Sequence, residues 1–153
     1  MKIPGVSAFS FVFTLVLLVD TAVRMRSRGV QPNTDFIIGV AAMCCLVMTY
    51  ISMFSFRGVV QSGMSKLRRS FASPVFTLMN LLAPSFCVLL HVSYFLRLFF
   101  VLFNPSSDYF NITQGKVVCM QLLSLVNAFT AFKYAEFVWM KREQVQRLRG
   151  KTK

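Results

Sequence analysis

Residues 73–103 read SPVFTLMNLLAPSFCVLLHVSYFLRLFFVLF. One arginine, one histidine and two prolines interrupt an almost unbroken apolar run. A helix of about 31 residues rises roughly 46 Å, whereas the hydrocarbon core of a bilayer is about 30 Å thick. Such a segment must tilt, kink or begin in the headgroup layer. Ser73 and Pro74 form an N-cap followed by proline in the first helical position. Pro84 removes a backbone donor and frees the carbonyl of Asn80, which predicts a kink there.

Three further stretches share this character: residues 6–23, 36–56 and 117–140. The expected fold is therefore all-α. It is a polytopic membrane protein with four transmembrane helices in an antiparallel bundle, the third long and kinked, because short connections force neighbouring helices to run in opposite directions. The helices at 6–23, 36–56, 74–103 and 117–140 form one domain over residues 1–140, and residues 141–153 form a basic cytosolic tail into which the last helix is expected to run on. The first run resembles a signal peptide only superficially. It is preceded by a single cation, Lys2, it is long, and Asp20-Thr21-Ala22 is a poor cleavage context.

The composition agrees. The chain of 153 residues is 56% hydrophobic and 14% charged, outside the range of soluble domains. Its net charge of +12 is concentrated in the connections and the tail. Beside membrane helices such clusters set topology and meet anionic lipid, here at the loop 57–72 and the tail 141–153. No nucleic-acid partner is expected, since no soluble domain presents a basic face.

Charge also orients the bundle. Lys2, the four cations of the second connection and the six of the tail make eleven on one side. Arg24, Arg26, Arg28 and Lys116 make four on the other. The positive-inside rule then puts both termini in the cytosol, or in the matrix if the membrane is the mitochondrial inner membrane. The third connection, on the translocated side, carries a glycosylation sequon at Asn111. Arg149 and Lys151, fifth and third from the end, resemble a dilysine-type retrieval signal of the endoplasmic reticulum.

Polar residues inside spans are costly in lipid and mark packing or function. On helix 2, Gly39, Ala42, Cys45, Thr49 and Ser52 recur at helical spacing and form a helix-packing face. Thr34 or Asp35 can cap that helix. On helix 3, Asn80, Cys87, His91 and Tyr94 share one face, with Arg97 close to it. Interhelical hydrogen bonding, proton or ligand handling by His91, and a metal or haem site are the readings open to this stripe. A closed metal site needs about four ligands, and the chain has a single histidine, so no metal or cofactor is expected. The four cysteines (Cys44, Cys45, Cys87, Cys119) form no C-x-x-C and read as small buried residues.

Asp20 and Arg97 lie at matching depths, which predicts an ion pair between helices 1 and 3. Lys133 and Glu136 form a structural i,i+3 pair near the inner end of helix 4, and Trp139 suits an interfacial belt. Gln121, Ser124 and Ala128 fall along one face of that helix.

Met25-Arg26-Ser27-Arg28 follows helix 1 and Thr34-Asp35-Phe36 opens helix 2. Pro74 opens helix 3, Leu81–Ala83 lies within it, and His91 stands seventeen residues after the proline. With the basic retrieval-like tail, these positions resemble the keratinocyte-associated protein 2 family over roughly residues 8–91. The long second half of helix 3, the polar loop 104–116 and helix 4 depart from that pattern. The resemblance implies a non-catalytic accessory subunit of the oligosaccharyltransferase complex, which couples glycosylation to the protein-conducting channel.

The expected function is thus that of a non-enzymatic small subunit in a multi-subunit membrane complex of the endoplasmic reticulum, partnered by other membrane subunits. One alternative is an accessory subunit of a mitochondrial respiratory or ATP synthase complex. Another is a small proton-coupled transporter using Asp20 or His91. A four-span glutathione- or eicosanoid-type transferase would need charged groups in helix 2, which has none within 36–56.

Overall fold

A computed structural model describes residues 5–29, 31–32, 34–103 and 114–150. Five helices account for nearly all of them: α1 (Gly5–Ser27), α2 (Thr34–Gln61), α3 (Met64–Ala72), α4 (Pro74–Phe103) and α5 (Gln114–Gly150). No strand occurs among the described residues. Within α1, α2, α4 and α5 lie four segments long and apolar enough to cross a membrane: Ser7–Ser27, Thr34–Gln61, Pro74–Phe103 and Gly115–Leu148. Asn111 and Lys151 lie outside the described residues.

The helices wear their polar groups inward. On α1, Ser7, Ser10, Thr14 and Thr21 are buried, whereas Phe9, Val12, Val16, Val19 and Val23 are exposed. On α4, Asn80, Cys87, His91, Tyr94 and Leu98 are buried, whereas Leu82, Phe86, Leu89 and Phe100 are exposed. In water this arrangement would be unstable. In lipid it is the stable one, because hydrocarbon accepts the apolar faces while polar groups can be satisfied only by one another.

Two apolar clusters fill the interior. One joins Leu18, Met43, Leu46, Tyr94, Leu98 and Met120. The other joins Met53, Phe56, Leu67, Tyr134, Val138 and Val145. Phe56 is the centre of the second, with ring contacts to Phe71, Phe76, Tyr134 and Phe137 at centroid distances of 5.8, 5.9, 6.2 and 5.9 Å. α4 packs most extensively on α5 and next on α2, while α1 packs mainly on α5. The backbones of α1 and α4 do not approach each other among the described residues, although Leu18 and Tyr94 reach the same cluster.

The second connection is not the loop expected over 57–72. α2 continues to Gln61, a turn follows at Ser62–Gly63, and α3 occupies Met64–Ala72. The turn uses Gly63 at φ +97°, a backbone conformation that disfavours a side chain. α3 forms because Met64, Leu67 and Phe71 recur at helical spacing between cations. Leu67 is inserted into the Phe56 cluster, and Lys66, Arg68 and Arg69 stay exposed. Pro74 ends α3: it holds Ser73 in an extended conformation (φ −80°, ψ 121°), and α4 starts at once.

Other boundaries also move outward. α1 runs four residues beyond Val23 to Ser27, and α5 begins at Gln114 and runs on into the basic tail, as expected, as far as Gly150. Val145, buried against the Leu67 cluster, gives that extension a packed face. Cys87 is buried as expected, but Cys44 and Cys119 are exposed on the outer faces of their helices.

Candidate functional site

The interior polar side chains form a seam along α5. At one level Ser7 Oγ and Thr130 Oγ1 share a hydrogen bond of 2.8 Å. Next along, Ser10 Oγ donates to Asn127 Oδ1 at 2.9 Å, and Asn127 Nδ2 donates to Thr14 Oγ1 at 3.2 Å. Thr14 in turn donates to the carbonyl of Ser10, 2.7 Å away. Asn127 is fully buried, so both ends of its amide are satisfied by α1 alone. Near the far end of α1, Lys116 Nζ reaches Asp20 Oδ2 at 2.7 Å.

On its other side α5 meets α4. Tyr134 Oη donates to Asn80 Oδ1, and Asn80 Nδ2 donates to the Phe76 carbonyl at 2.8 Å. Ser124 Oγ donates to the His91 carbonyl at 2.8 Å. The His91 ring is buried, with Nδ1 lying 2.9 Å from the Cys87 carbonyl and 3.5 Å from Cys87 Sγ. Tyr94 Oη is directed at Met120 Sδ at 3.8 Å. Successive contacts thus proceed up one helix and down the other. Among the described residues the one buried side-chain nitrogen or oxygen without a partner is Gln121 Nε2.

The expected Asp20–Arg97 pair does not form. Arg97 Nη1 binds Asp35 Oδ1 at 2.8 Å, and Asp20 binds Lys116 and, at 3.0 Å, Arg24. The α1 and α4 backbones do not approach each other, so each charge meets a closer neighbour. Asp35, read above as a cap, is thereby buried as an ion-pair partner. Lys133 and Glu136 pair at 2.7 Å on the exposed face of α5.

The small-residue face of α2 is used within the chain. Ala42, Thr49 and Ser52 are buried, Cys45 is half-buried and accepts from Thr49 Oγ1 at 2.8 Å through its carbonyl, and Gly39 lies under the Tyr94 ring. That face is therefore not free for another subunit.

Sequence reasoning missed the α1 half of the seam. Ser7, Ser10, Thr14 and Thr21 stand at intervals of 3, 4 and 7, a helical face in plain view. Asn127 and Thr130 were missed beside the more visible Gln121 and Ser124. Replacing Asn127 by Leu is expected to lower stability by about 1 kcal/mol, the usual scale for an interhelical hydrogen bond in a membrane. Increased protease access to α1 in detergent, with α4 still protected, would mark the loss as local to the seam.

Chemically, these groups hold helices together. The buried hydroxyls and amides face each other across helix boundaries, and no group of three His, Cys, Asp or Glu side chains suited to a metal occurs among the described residues. No family model, curated protein or solved structure matches this chain.

Proposed function

We propose that the protein is a small, non-catalytic integral-membrane subunit of a multi-subunit membrane complex, built as an antiparallel four-helix bundle with its third span kinked at Pro84. The observation that carries this reading is the seam. Ser7, Ser10, Thr14, Asn80, Ser124, Asn127, Thr130 and Tyr134 spend their hydrogen bonds on neighbouring helices or on their own backbone, and the outer faces present hydrocarbon. A rigid scaffold with apolar flanks suits a subunit that braces larger partners within the bilayer.

The favoured setting is the endoplasmic reticulum, in an assembly such as oligosaccharyltransferase with the translocon. The resemblance to the keratinocyte-associated protein 2 family supports it, as does the retrieval-like tail. The cation count supports cytosolic termini, which would leave Asn111 in the lumen. The same charges would give matrix termini in a mitochondrial inner membrane. Proton carriage by Asp20 or His91 is disfavoured by their partners: two cations grip Asp20, and Nδ1 of His91 stands against the Cys87 carbonyl.

Gentle detergent extraction of the tagged chain from native membranes, followed by a native gel and mass spectrometry, tests this. Co-migration with oligosaccharyltransferase and translocon subunits is the expected result. Respiratory or ATP synthase subunits in its place would keep the bracing role and change the organelle. Migration as a monomer or a small homo-oligomer would overturn the subunit reading.

A further inference from the structure

The Phe56 cluster is not closed on all sides. Met53, Phe56 and Val60 of α2, with Tyr134 and Phe137 of α5, line a cavity of about 150 Å³. Arg57 and Gln61, both exposed, complete its wall. The first described contacts of α1 are Ser7 with Thr130 and with Tyr50 Oη, short of the level of Met53 and Tyr134. Beyond that level α2 and α5 run on.

Lys133 and Arg147 on α5 each hold a carboxylate. The side chains of Arg57, Lys66, Arg68 and Arg69 have no hydrogen bond or ion pair with any described residue. Arg57 is also the first charged side chain after the apolar stretch of α2, so it stands where hydrocarbon gives way to headgroups.

We propose that this cavity binds one anionic glycerophospholipid. The headgroup phosphate is bound by the Arg57 guanidinium, whose fork matches phosphate oxygens two at a time, and by the Gln61 amide. Part of one acyl chain lies against Phe56, Val60 and Phe137. An apolar cavity with an unneutralised cation on its wall, opening at the headgroup level, matches a ligand that is itself apolar at one end and anionic at the other. The proposal rests on the chain spanning a membrane, and it sharpens the general attraction of the basic segments for anionic lipid into one discrete site.

The test uses the full-length protein in neutral detergent with equimolar phosphatidylserine and phosphatidylcholine, read by native mass spectrometry. One phosphatidylserine is expected to stay on each chain in preference to phosphatidylcholine. Arg57→Gln is expected to weaken its retention about fivefold, the equivalent of about 1 kcal/mol for one interfacial cation. Arg69→Gln removes the same charge away from the cavity and is expected to change retention little. Val60→Trp fills the cavity, keeps every cation, and is expected to expel the lipid.

Equal weakening by Arg57→Gln and Arg69→Gln would reduce the effect to diffuse charge and overturn the site. So would undiminished retention by folded Val60→Trp, or equal binding of phosphatidylcholine. If the tryptophan variant fails to fold, the two arginine variants decide alone. A photo-cross-linking residue at position 60 that captures peptide and no lipid in native membranes would also overturn it. Release of the wild-type chain from membranes by alkaline carbonate would instead break the membrane reading, an outcome separate from loss of lipid.

Discussion

In an unfolding titration in mixed micelles, Arg97→Gln is expected to cost about 3 kcal/mol and Asp35→Asn no more than about 1 kcal/mol, although both break the same ion pair. The asymmetry lies in where the two ends sit. The Asp35 side chain is 2% exposed and that of Arg97 is 47% exposed. Without the guanidinium, a buried carboxylate has lost its cation and its desolvation is no longer offset. Its place as the second residue of α2 softens the loss, because free N–H groups and the helix dipole favour negative charge there. That keeps the estimate at the lower end of the range for broken buried pairs. Removing the charge of Asp35 leaves an asparagine oxygen that still accepts a hydrogen bond, and an arginine free to extend toward water or lipid phosphate. The double variant is expected to recover most of the Arg97→Gln loss, and the same cycle run between Asp20 and Arg97 is expected to give no coupling. Equal losses from the two single variants would show that Asp35 is not buried as described.

The partners that Asp20 and Arg97 take show what the sequence does and does not reveal. Hydropathy sums over about twenty residues, so the four spans are legible, and so is the depth of a charge along each. Depth is a single coordinate. Which helices sit side by side is a second one, and nothing in the spacing of Asp20, Asp35, Arg97 and Lys116 encodes it. The inward face of α4 could be read from Asn80, Cys87, His91 and Tyr94 because period 3.6 survives in any helix. Their partners, Tyr134 and Ser124, depend on how α5 is rotated against that face. α3 was illegible for another reason. Three large apolar residues among cations in nine positions are too few to outweigh a loop reading, and burial of Leu67 among residues from α2 and α5 supplies the missing stabilisation.

Gly39→Leu is expected to have the largest effect of any single substitution in α2, about 3 kcal/mol or outright failure to assemble. A Cβ at this position would lie 3.0 Å from Tyr94 Cζ, 3.1 Å from Tyr94 Cε2 and 3.2 Å from Leu18 Cδ2. Three helices meet here with only hydrogen on the α2 backbone between them, which is how small residues let membrane helices approach. The Tyr94 ring has little room to yield. It is 4% exposed, and its hydroxyl is directed at Met120 on α5. Alanine needs only a few tenths of an ångström, and its better helix propensity, worth about 1 kcal/mol, offsets much of that strain. Gly39→Ala should therefore lie within about 1 kcal/mol of the parent. Leucine needs a whole side chain's volume between two buried residues, and propensity cannot offset that. Shrinking the obstacle separates steric conflict from any other effect of leucine. Gly39→Leu combined with Tyr94→Ala is expected to be more stable than the sum of the two single losses allows, because the new side chain fills the space the ring vacates. Thermal melting in a single detergent reads all four proteins. A Gly39→Leu protein that melts with the parent would mean that α2 does not lie against Tyr94 and Leu18, and the junction of α1, α2 and α4 would have to be redrawn.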